Sequence, residues 1–301
     1  MAFEYTICDV FTSQVFGGNP LAVIHDARGL SQDQMQRIAR EFNFSETSFV
    51  FPAERGGSRK VRIFTPSREV PFAGHPNVGT ACVLASLGQF GSAQQALNIV
   101  FEEQAGDVAI QISPTDEGLF LAQIQAPETL QLGASIDPTL IADALEIQPQ
   151  DLDLSIHPAI EASVGLGFLI VRVGSPQVLA KLQPDSAGFH TLAQFHDSPF
   201  VHAYCLAETE HSSLDIRSRM FAPTDAIPED PATGSANCAL AALLAHYHTD
   251  ADGDFSWRIA QGVEMGRPSE LLAGAQKRAG EVVSSTVAGT TVMVSRGELF
   301  L

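Results

Sequence analysis

Two seven-residue stretches, one in each half of the chain, share a pattern of proline, glycine and small residues. They read His75-Pro76-Asn77-Val78-Gly79-Thr80-Ala81 and Asp230-Pro231-Ala232-Thr233-Gly234-Ser235-Ala236, and their first residues lie 155 positions apart (230 − 75). A run of small and aliphatic residues follows each stretch, at 81–87 and at 236–244. Because these runs are apolar on every face, each predicts a helix buried inside its own domain. The pattern therefore predicts a duplicated α/β architecture with one buried helix in each half.

The length of the chain agrees with two domains. It has 301 residues, and domains commonly contain roughly 150 residues. Strand-like runs occur in both halves, and residues 125–160 are richer in Pro, Gln and Asp than the rest. We therefore predict a first domain over 1–128 and a second over 129–301, with the last strand able to pack back on the first domain.

Composition excludes several classes of protein. The chain carries 17 Lys and Arg against 35 Asp and Glu, a formal charge of −18, and 45% of its residues are hydrophobic. It is too apolar to be disordered, and its charge repels nucleic acids and anionic membranes. Its 4 cysteines include no Cys-x-x-Cys pair, so neither a zinc ribbon nor a disulfide framework is expected. No apolar run is long enough to span a membrane, and the cytoplasm is the expected location.

The two starting regions of the buried helices are candidates for binding an anion. A helix N-terminus presents free N–H groups and a partial positive charge, which favour carboxylates, phosphates and developing negative charge. His75 opens the first stretch and Asp230 opens the second. These side chains could merely cap buried helices. Their symmetric occurrence instead favours one active site shared between the two domains.

Further motifs make the chain recognisable. They are Gly18-Asn19-Pro20, Phe44-Ser45-Glu46-Thr47-Ser48-Phe49-Val50, Phe64-Thr65-Pro66, Glu69-Val70-Pro71-Phe72-Ala73-Gly74-His75-Pro76, Arg219-Met220-Phe221-Ala222-Pro223, Glu229-Asp230-Pro231-Ala232-Thr233-Gly234-Ser235-Ala236 and Gly266-Arg267-Pro268-Ser269. In this order, from residue 5 to about 295, the chain resembles the PhzF family, which is named after an isomerase of phenazine biosynthesis.

The resemblance implies a fold and a way of working. The implied fold is the diaminopimelate-epimerase-like one, an α/β (α+β) fold of two pseudo-symmetric domains. Each domain is a curled, mainly antiparallel sheet around a central buried helix, and the active site lies in the cleft between them. The resemblance also implies a cytoplasmic homodimer that needs no metal and no organic cofactor and acts on a small anionic metabolite.

The same resemblance assigns roles to single residues. Glu46 matches the family's catalytic acid/base, and His75, Asp230 and Ser235 match its polar active-site partners. Gly74 and Gly234 match backbone positions that shape the substrate site. Phenylalanines flank Glu46 on both sides in the sequence, and an apolar setting raises the pKa of a carboxyl group towards the range useful for proton transfer. From the residues alone, an ordinary exposed Glu at the start of a strand is the alternative.

The predicted function is an isomerase that moves a proton between carbon atoms of a small carboxylate-bearing metabolite. Two rivals are a hydrolase using Ser235 and a non-catalytic metabolite-binding protein. A third is an epimerase or racemase, which in this fold uses a cysteine at each helix N-terminus. Cys82 and Cys238 lie seven and eight residues past His75 and Asp230 (82 − 75 and 238 − 230). They are therefore predicted to be core residues and not nucleophiles.

Overall fold

The computed structural model describes residues 2–91, 95–196, 199–207, 213–225 and 227–301. The chain divides into two compact units: Met1–Gln125 with Ala288–Leu301, and Ala126–Val287. The boundary predicted after residue 128 falls close to the start of the second unit. That these units are two independent domains remains our proposal.

The first unit combines strands with two helices. In chain order its elements are β1 (Ala2–Val10), β2 (Asn19–Ile24), α1 (Gln32–Phe42), β3 (Glu46–Phe51), β4 (Arg59–Phe64), β5 (Glu69–Val70), α2 (Gly74–Ser86), β6 (Leu97–Glu102), β7 (Asp107–Pro114) and β8 (Phe120–Gln125).

Helix α1 has the start that its sequence predicts. Ser31 caps it by accepting a hydrogen bond from the backbone N–H of Gln34, whose side chain accepts in return from the backbone N–H of Ser31. The helix ends at Asn43, which adopts the left-handed conformation with φ of 54°. This stop lets the chain turn directly into β3, which begins at Glu46.

Helix α2 lies at the centre of the first unit. Its residues from Gly74 to Ala85 are all buried, and strands β1, β2, β3, β7 and β8 pack against it. Gly79 sits in the middle of the helix, where an added Cβ would lie 2.6 Å from side-chain atoms of both Leu21 and Val10. The glycine therefore allows the helix to approach β1 and β2 closely.

The second unit has a similar composition. Its elements are β9 (Gln131–Ser135), α3 (Pro138–Ala144), β10 (Ile160–Ser163), β11 (Gly167–Arg172), α4 (Pro176–Leu179), α5 (Ser186–Leu192), β12 (Val201–Leu206), β13 (Ile216–Ala222), β14 (Ile227–Asp230), α6 (Gly234–Tyr247), β15 (Gly253–Gln261), β16 (Ser269–Arg278) and β17 (Glu281–Phe300), with single 3₁₀ turns at Pro149–Asp151 and Pro223–Asp225. From Ala288 onward β17 belongs to the first unit, where it pairs antiparallel with β1.

The two units repeat one order of strand pairing. In the first, β2 and β3 are parallel, β3–β4 and β4–β5 antiparallel, β4 and β6 parallel, and β6–β7 antiparallel. In the second, the same sequence of pairings joins β11–β12, β12–β13, β13–β14, β13–β15 and β15–β16. The buried helix α6 packs against β10, β11, β15 and β16. The predicted α/β class, with mainly antiparallel strands around one buried helix per unit, is confirmed.

The register of the predicted repeat is wrong by five residues. The sequence frame aligns Gly79 with Gly234, but α2 begins at Gly74 and α6 at Gly234, an offset of 160 (234 − 74). The Asn77 side chain donates to the backbone oxygen of Ala73 at 3.0 Å, and Asn237 donates to that of Thr233 at 2.9 Å. Since each amide bonds the residue that precedes the first helical residue, the shared motif is Gly-x-x-Asn at the two helix starts.

This shift changes which residues correspond. His75 is the structural counterpart of Ser235, the second residue of the other helix, and not of Asp230. Pro231 lies before α6 and not in its first turn. Glycine and alanine recur in helices rich in small residues, and together with one proline near each helix start they produced the apparent frame.

Among the described residues, none of the helices has both the length and the apolar character that crossing a bilayer requires.

Candidate active site

Glu46 occupies the first position of β3, beside Leu21 of the parallel strand β2. Its side chain is 20% exposed, and burial raises the pKa of the carboxyl group to about 7, opposed by a hydrogen bond from Ser45. The pKa of Glu46 is thus shifted in the direction that the sequence predicts, and burial is the cause. A carboxyl group with this pKa is present in both protonation states at neutral pH.

His75 lies next to Glu46. It is the second residue of α2, its side chain is 6% exposed, and its Nδ1 atom is 3.5 Å from Oε2 of Glu46. The pairing arises because α2 packs against β3, which brings the first turn of the helix to the start of the strand. The structure thus brings together two of the predicted catalytic residues within the first unit.

The start of α2 also presents backbone donors beside this pair. Gly74 and His75 are the first two helical residues, no side chain caps the helix at Ala73, and its first turn contains no acidic residue. Their N–H groups therefore lie at the positive end of the helix dipole. This end of the helix would favour a negative charge that develops beside Glu46 and His75.

Asp230 is placed by the second unit. It ends β14, is 8% exposed, and its carboxylate accepts a hydrogen bond of 2.5 Å from the hydroxyl of Thr233. Gly234 and Ser235 follow directly as the first two residues of α6; Gly234 is buried and Ser235 is half-buried. The three residues predicted for this half of the chain thus cluster at one helix start.

Gln261 is a member of this second cluster that the sequence analysis missed. Its side-chain oxygen accepts from the Asn237 amide at 2.8 Å and from the backbone N–H of Thr233 at 3.2 Å. Its amide nitrogen donates to the backbone oxygen of Asp230 at 2.8 Å and to the hydroxyl of Thr233 at 3.0 Å. No local pattern marks Gln261, whereas the shared Gly-x-x-Asn motif would have identified Asn77 and Asn237.

The cysteines lie in the core, as predicted. Cys82 and Cys238 are 1% and 2% exposed, and burial raises the pKa of each thiol to about 12. Neither cysteine belongs to the first turn of its helix. A thiolate of the kind used by two-cysteine racemases therefore does not form readily at these positions.

Within the described part of the chain, no three His, Cys, Asp or Glu side chains are grouped so that they could hold an ion.

Similarity to known proteins extends over the whole chain. The profile of the family described as phenazine biosynthesis-like protein, PhzC-PhzF, matches residues 8–297. An uncharacterized isomerase of Mesorhizobium japonicum is 38% identical over 309 residues, covering 99% of each chain. The trans-2,3-dihydro-3-hydroxyanthranilate isomerase of Pseudomonas fluorescens is 36% identical over 298 residues, also covering 99% of each chain.

A solved structure has the same architecture. The PhzF-family phenazine biosynthesis protein of Bacillus anthracis superposes with a TM-score of 0.90 and 27% identity, covering 100% of both chains. The fold and the family that the sequence motifs resemble are therefore confirmed by comparisons of the complete sequence and of the complete fold. This chain is a member of the phenazine biosynthesis-like, PhzC-PhzF, family.

Proposed function

We propose that this protein is an isomerase that transfers a proton between two carbon atoms of a small carboxylate-bearing metabolite, with Glu46 as both base and acid. The observation that carries the proposal is the Glu46–His75 pair at the start of α2, with the pKa of Glu46 raised to about 7. Membership of a family whose relatives include named isomerases supports it.

The raised pKa suits a group that must act in both directions. The ionised carboxylate removes a proton from a carbon next to an unsaturated or carbonyl system and becomes a carboxylic acid. The electron pair left behind spreads into that system. The acid then returns its proton to a different carbon, so that Glu46 ends in its starting state and no net oxidation occurs. A pKa near the working pH makes both steps accessible.

His75 and the start of α2 are proposed to hold the charge that builds up between these steps. The imidazole lies 3.5 Å from the Glu46 carboxyl and can donate a hydrogen bond to a substrate oxygen at the same place. The backbone N–H groups of Gly74 and His75 add a fixed dipole that needs no reorganisation during the reaction. Such local donors let a protein with a net charge of −18 bind an anion.

Asp230, Gly234 and Ser235 are proposed to bind other polar groups of the same substrate. The bond from Thr233 orients the Asp230 carboxylate, and Ser235 offers a hydroxyl at the start of α6. This part of the proposal includes the site shared by the two halves of the chain. It predicts that D230N weakens turnover of the same substrate that requires Glu46, whereas unchanged kinetics of D230N exclude Asp230.

Three further features of the protein belong to the proposal. The resemblance to the family supports a homodimer, a location in the cytoplasm, and a reaction that uses neither metal nor organic cofactor. Light scattering of the purified protein tests the first of these. Activity after exhaustive treatment with a chelator tests the need for a metal.

The experiment that tests the function is a screen of small carboxylates in deuterated water, read by mass spectrometry. Trans-2,3-dihydro-3-hydroxyanthranilate is the first compound to include, because a relative at 36% identity is named for its isomerisation. The proposal predicts a product isomer, or deuterium entering a recovered substrate at carbon. Binding of a compound without either change would instead favour a metabolite-binding protein, and labelling of Ser235 by a phosphonate would favour a hydrolase.

A further inference from the structure

Glu103 is a buried carboxyl group outside the proposed reaction. It follows β6 directly, is 4% exposed, and its two oxygens have no partner at hydrogen-bond geometry among the described residues. The side-chain oxygen of Asn77 in α2 is also buried and has no hydrogen-bond partner among the described residues. An ionised carboxylate and an amide oxygen only accept hydrogen bonds, so three buried acceptor oxygens here lack a donor at hydrogen-bond geometry.

The repeat within the fold identifies the counterpart of Glu103. Gly74 begins α2, and Val70, four residues earlier, ends the short strand β5. In the same way, Gly234 begins α6, and Asp230, four residues earlier, ends the short strand β14. Val70 pairs with Ile63 on β4, and Asp230 pairs with Met220 on β13. The equivalence of Ile63 and Met220 therefore aligns strand β4 with strand β13.

The same ladders extend the alignment to the next strands. In the first unit, Lys60 lies three residues before Ile63 and pairs with Glu102 on β6. In the second unit, Arg217 lies three residues before Met220 and pairs with Ala260 on β15. The residues that follow, Glu103 and Gln261, are therefore equivalent. Each of these two residues lies at the end of its strand, close to the asparagine in the first turn of the buried helix.

The environment of Gln261 shows what this position does in the second unit. Its amide makes hydrogen bonds through both the oxygen and the nitrogen, and one of them is to Asn237, the counterpart of Asn77. Asn237 in turn holds the backbone of the first turn of α6 through Thr233. A side chain that both accepts and donates hydrogen bonds is therefore built into the support of this helix start.

We propose that Glu103 is protonated in the folded protein and takes the part of Gln261 in the first unit, holding Asn77 and through it the first turn of α2 that carries His75. A carboxylic acid has a carbonyl acceptor and one O–H donor, so it can both accept and donate as Gln261 does, although it donates one bond where Gln261 donates two. Protonation thus supplies one donor among the buried acceptor oxygens. Glu103 is thus a positioning residue for His75, and its effect on turnover rests on the proposed function.

Charge and burial around Glu103 agree with this assignment. Burial raises the pKa of the Glu103 carboxyl to about 8, opposed by the side chain of Asn77. The guanidinium of Arg55 donates to the backbone oxygen of Glu103 and is paired with Asp107. On the adjoining strand β4, Lys60 is paired with Glu54 and Arg62 with Glu69. The third cation of this strand, Arg59, donates to the backbone oxygens of Ser58 and Gln89 and to the Gln89 side chain.

The other titratable groups near this position also leave the proton on Glu103. The Glu102 carboxylate accepts from the backbone N–H groups of Glu54, Arg55 and Gly57, so it is satisfied as an anion. On α2, the titratable side chain near Asn77 is that of His75, which faces Glu46. Each of the cations named here donates to another side chain, and none donates to the Glu103 carboxyl group.

The test compares the unfolding equilibrium of the wild type with that of E103Q between pH 5 and pH 8. The folded protein keeps the proton on Glu103 up to about pH 8, whereas the unfolded chain loses it near 4.5. The wild type therefore loses stability as pH rises through this window, while E103Q, which is permanently neutral, lacks this loss. The unfolding constant of the wild type relative to that of E103Q should rise by up to about tenfold per pH unit.

Control variants make the result specific. E41Q, which removes an exposed carboxyl of α1, should follow the wild type at every pH. E103L cannot make the hydrogen bonds and should reduce turnover at least tenfold, whereas E103Q should restore most of it. A ratio of unfolding constants that does not change between pH 5 and pH 8 overturns the proposal, whether or not Glu46 proves to be the base.

A measurement on the unmutated protein covers the case in which E103Q does not fold. With ¹³C-labelled glutamate, the side-chain carboxyl signals should include two that titrate above pH 6, and one of these should disappear in E46Q. A single such signal, absent from E46Q, overturns the proposal.

Discussion

Oε2 of Glu46 lies 3.5 Å from Nδ1 of His75, at the junction of a strand start and a helix start. Strand β3 contributes the acid and α2 contributes both the imidazole and the backbone donors beside it. The pair lies within one unit of the chain and is supported there by the packing of α2 against β3. The pair therefore has two separable roles, one in proton transfer and one in stability.

The pH dependence of activity should follow the ionisation of Glu46. Because the ionised carboxylate is the base, kcat/KM should rise with pH and level off above about pH 7, where burial places the pKa of Glu46. The measurement is a pH–rate profile with the substrate found in the deuterium screen. An activity that rises with a midpoint near pH 4.5, the ordinary value for Glu, would show that burial does not raise the pKa of the base.

The free energy of unfolding should also depend on Glu46, but it should fall as pH rises, whereas the activity should increase. The folded state holds the Glu46 proton to about pH 7 and the unfolded state only to about 4.5. Wild-type stability relative to E46Q should therefore be greatest below pH 4.5 and fall as pH rises to 7, by up to about 3 kcal/mol. Urea unfolding at several pH values measures the difference, and parallel curves for the two proteins would argue against a buried neutral acid.

His75→Gln should impair catalysis without unfolding the protein. Glutamine keeps a donor but cannot carry a positive charge, so we expect kcat to fall by roughly 10–10³-fold with a smaller change in KM. His190→Gln, on the exposed side of α5, is the matched control and should behave as wild type. If His75→Gln raises KM alone, the imidazole binds substrate and does not stabilise the transition state.

The cysteines should prove dispensable for activity. Cys82→Ala and Cys238→Ala, singly or together, should retain proton-exchange activity and lose on the order of 1 kcal/mol of stability each. Iodoacetamide should leave the folded enzyme active, because burial raises the pKa of both thiols to about 12. Rapid inactivation with substrate protection, and a label on either residue, would transfer the chemistry to a thiol.

Gly79→Ala should destabilise the first unit despite the better helix propensity of alanine. The new methyl would lie 2.6 Å from Val10 and Leu21, and overpacking of this kind costs about 1–3 kcal/mol. Adding Val10→Ala should recover part of that loss, which a double-mutant cycle measures. Simple additivity of the two changes would mean that the helix moves away from the strand.

The sequence predicted the burial of the two central helices better than the register of the repeat. Burial of α2 and α6 followed from their composition, because no face of either helix is polar enough to meet water. The positions of Gly79 and Pro231 misled the alignment, since small residues recur throughout such helices. The true correspondence depends on ladders between strands far apart in the chain, such as Ile63 with Val70 and Met220 with Asp230.

Long-range packing also explains which site residues were missed. Gln261 supports a helix start that begins 27 residues earlier (261 − 234), and no local pattern connects the two. Glu103 likewise resembles an ordinary acidic residue at a strand end, and only its burial beneath α2 distinguishes it. The sequence could have identified Asn77 and Asn237, because each lies three residues after the glycine that begins a helix.

The measurement that tests the central claim most directly is proton transfer by E46Q at pH 7 in deuterated water. Glutamine has nearly the shape of the neutral acid but cannot take a proton from carbon, so E46Q should fold with an unchanged circular dichroism spectrum. Its turnover and deuterium incorporation should fall by roughly 10²–10⁴-fold relative to wild type, while E41Q stays at the wild-type rate. A folded E46Q that works within tenfold of the wild-type rate would contradict the assignment of Glu46 as the acid and base.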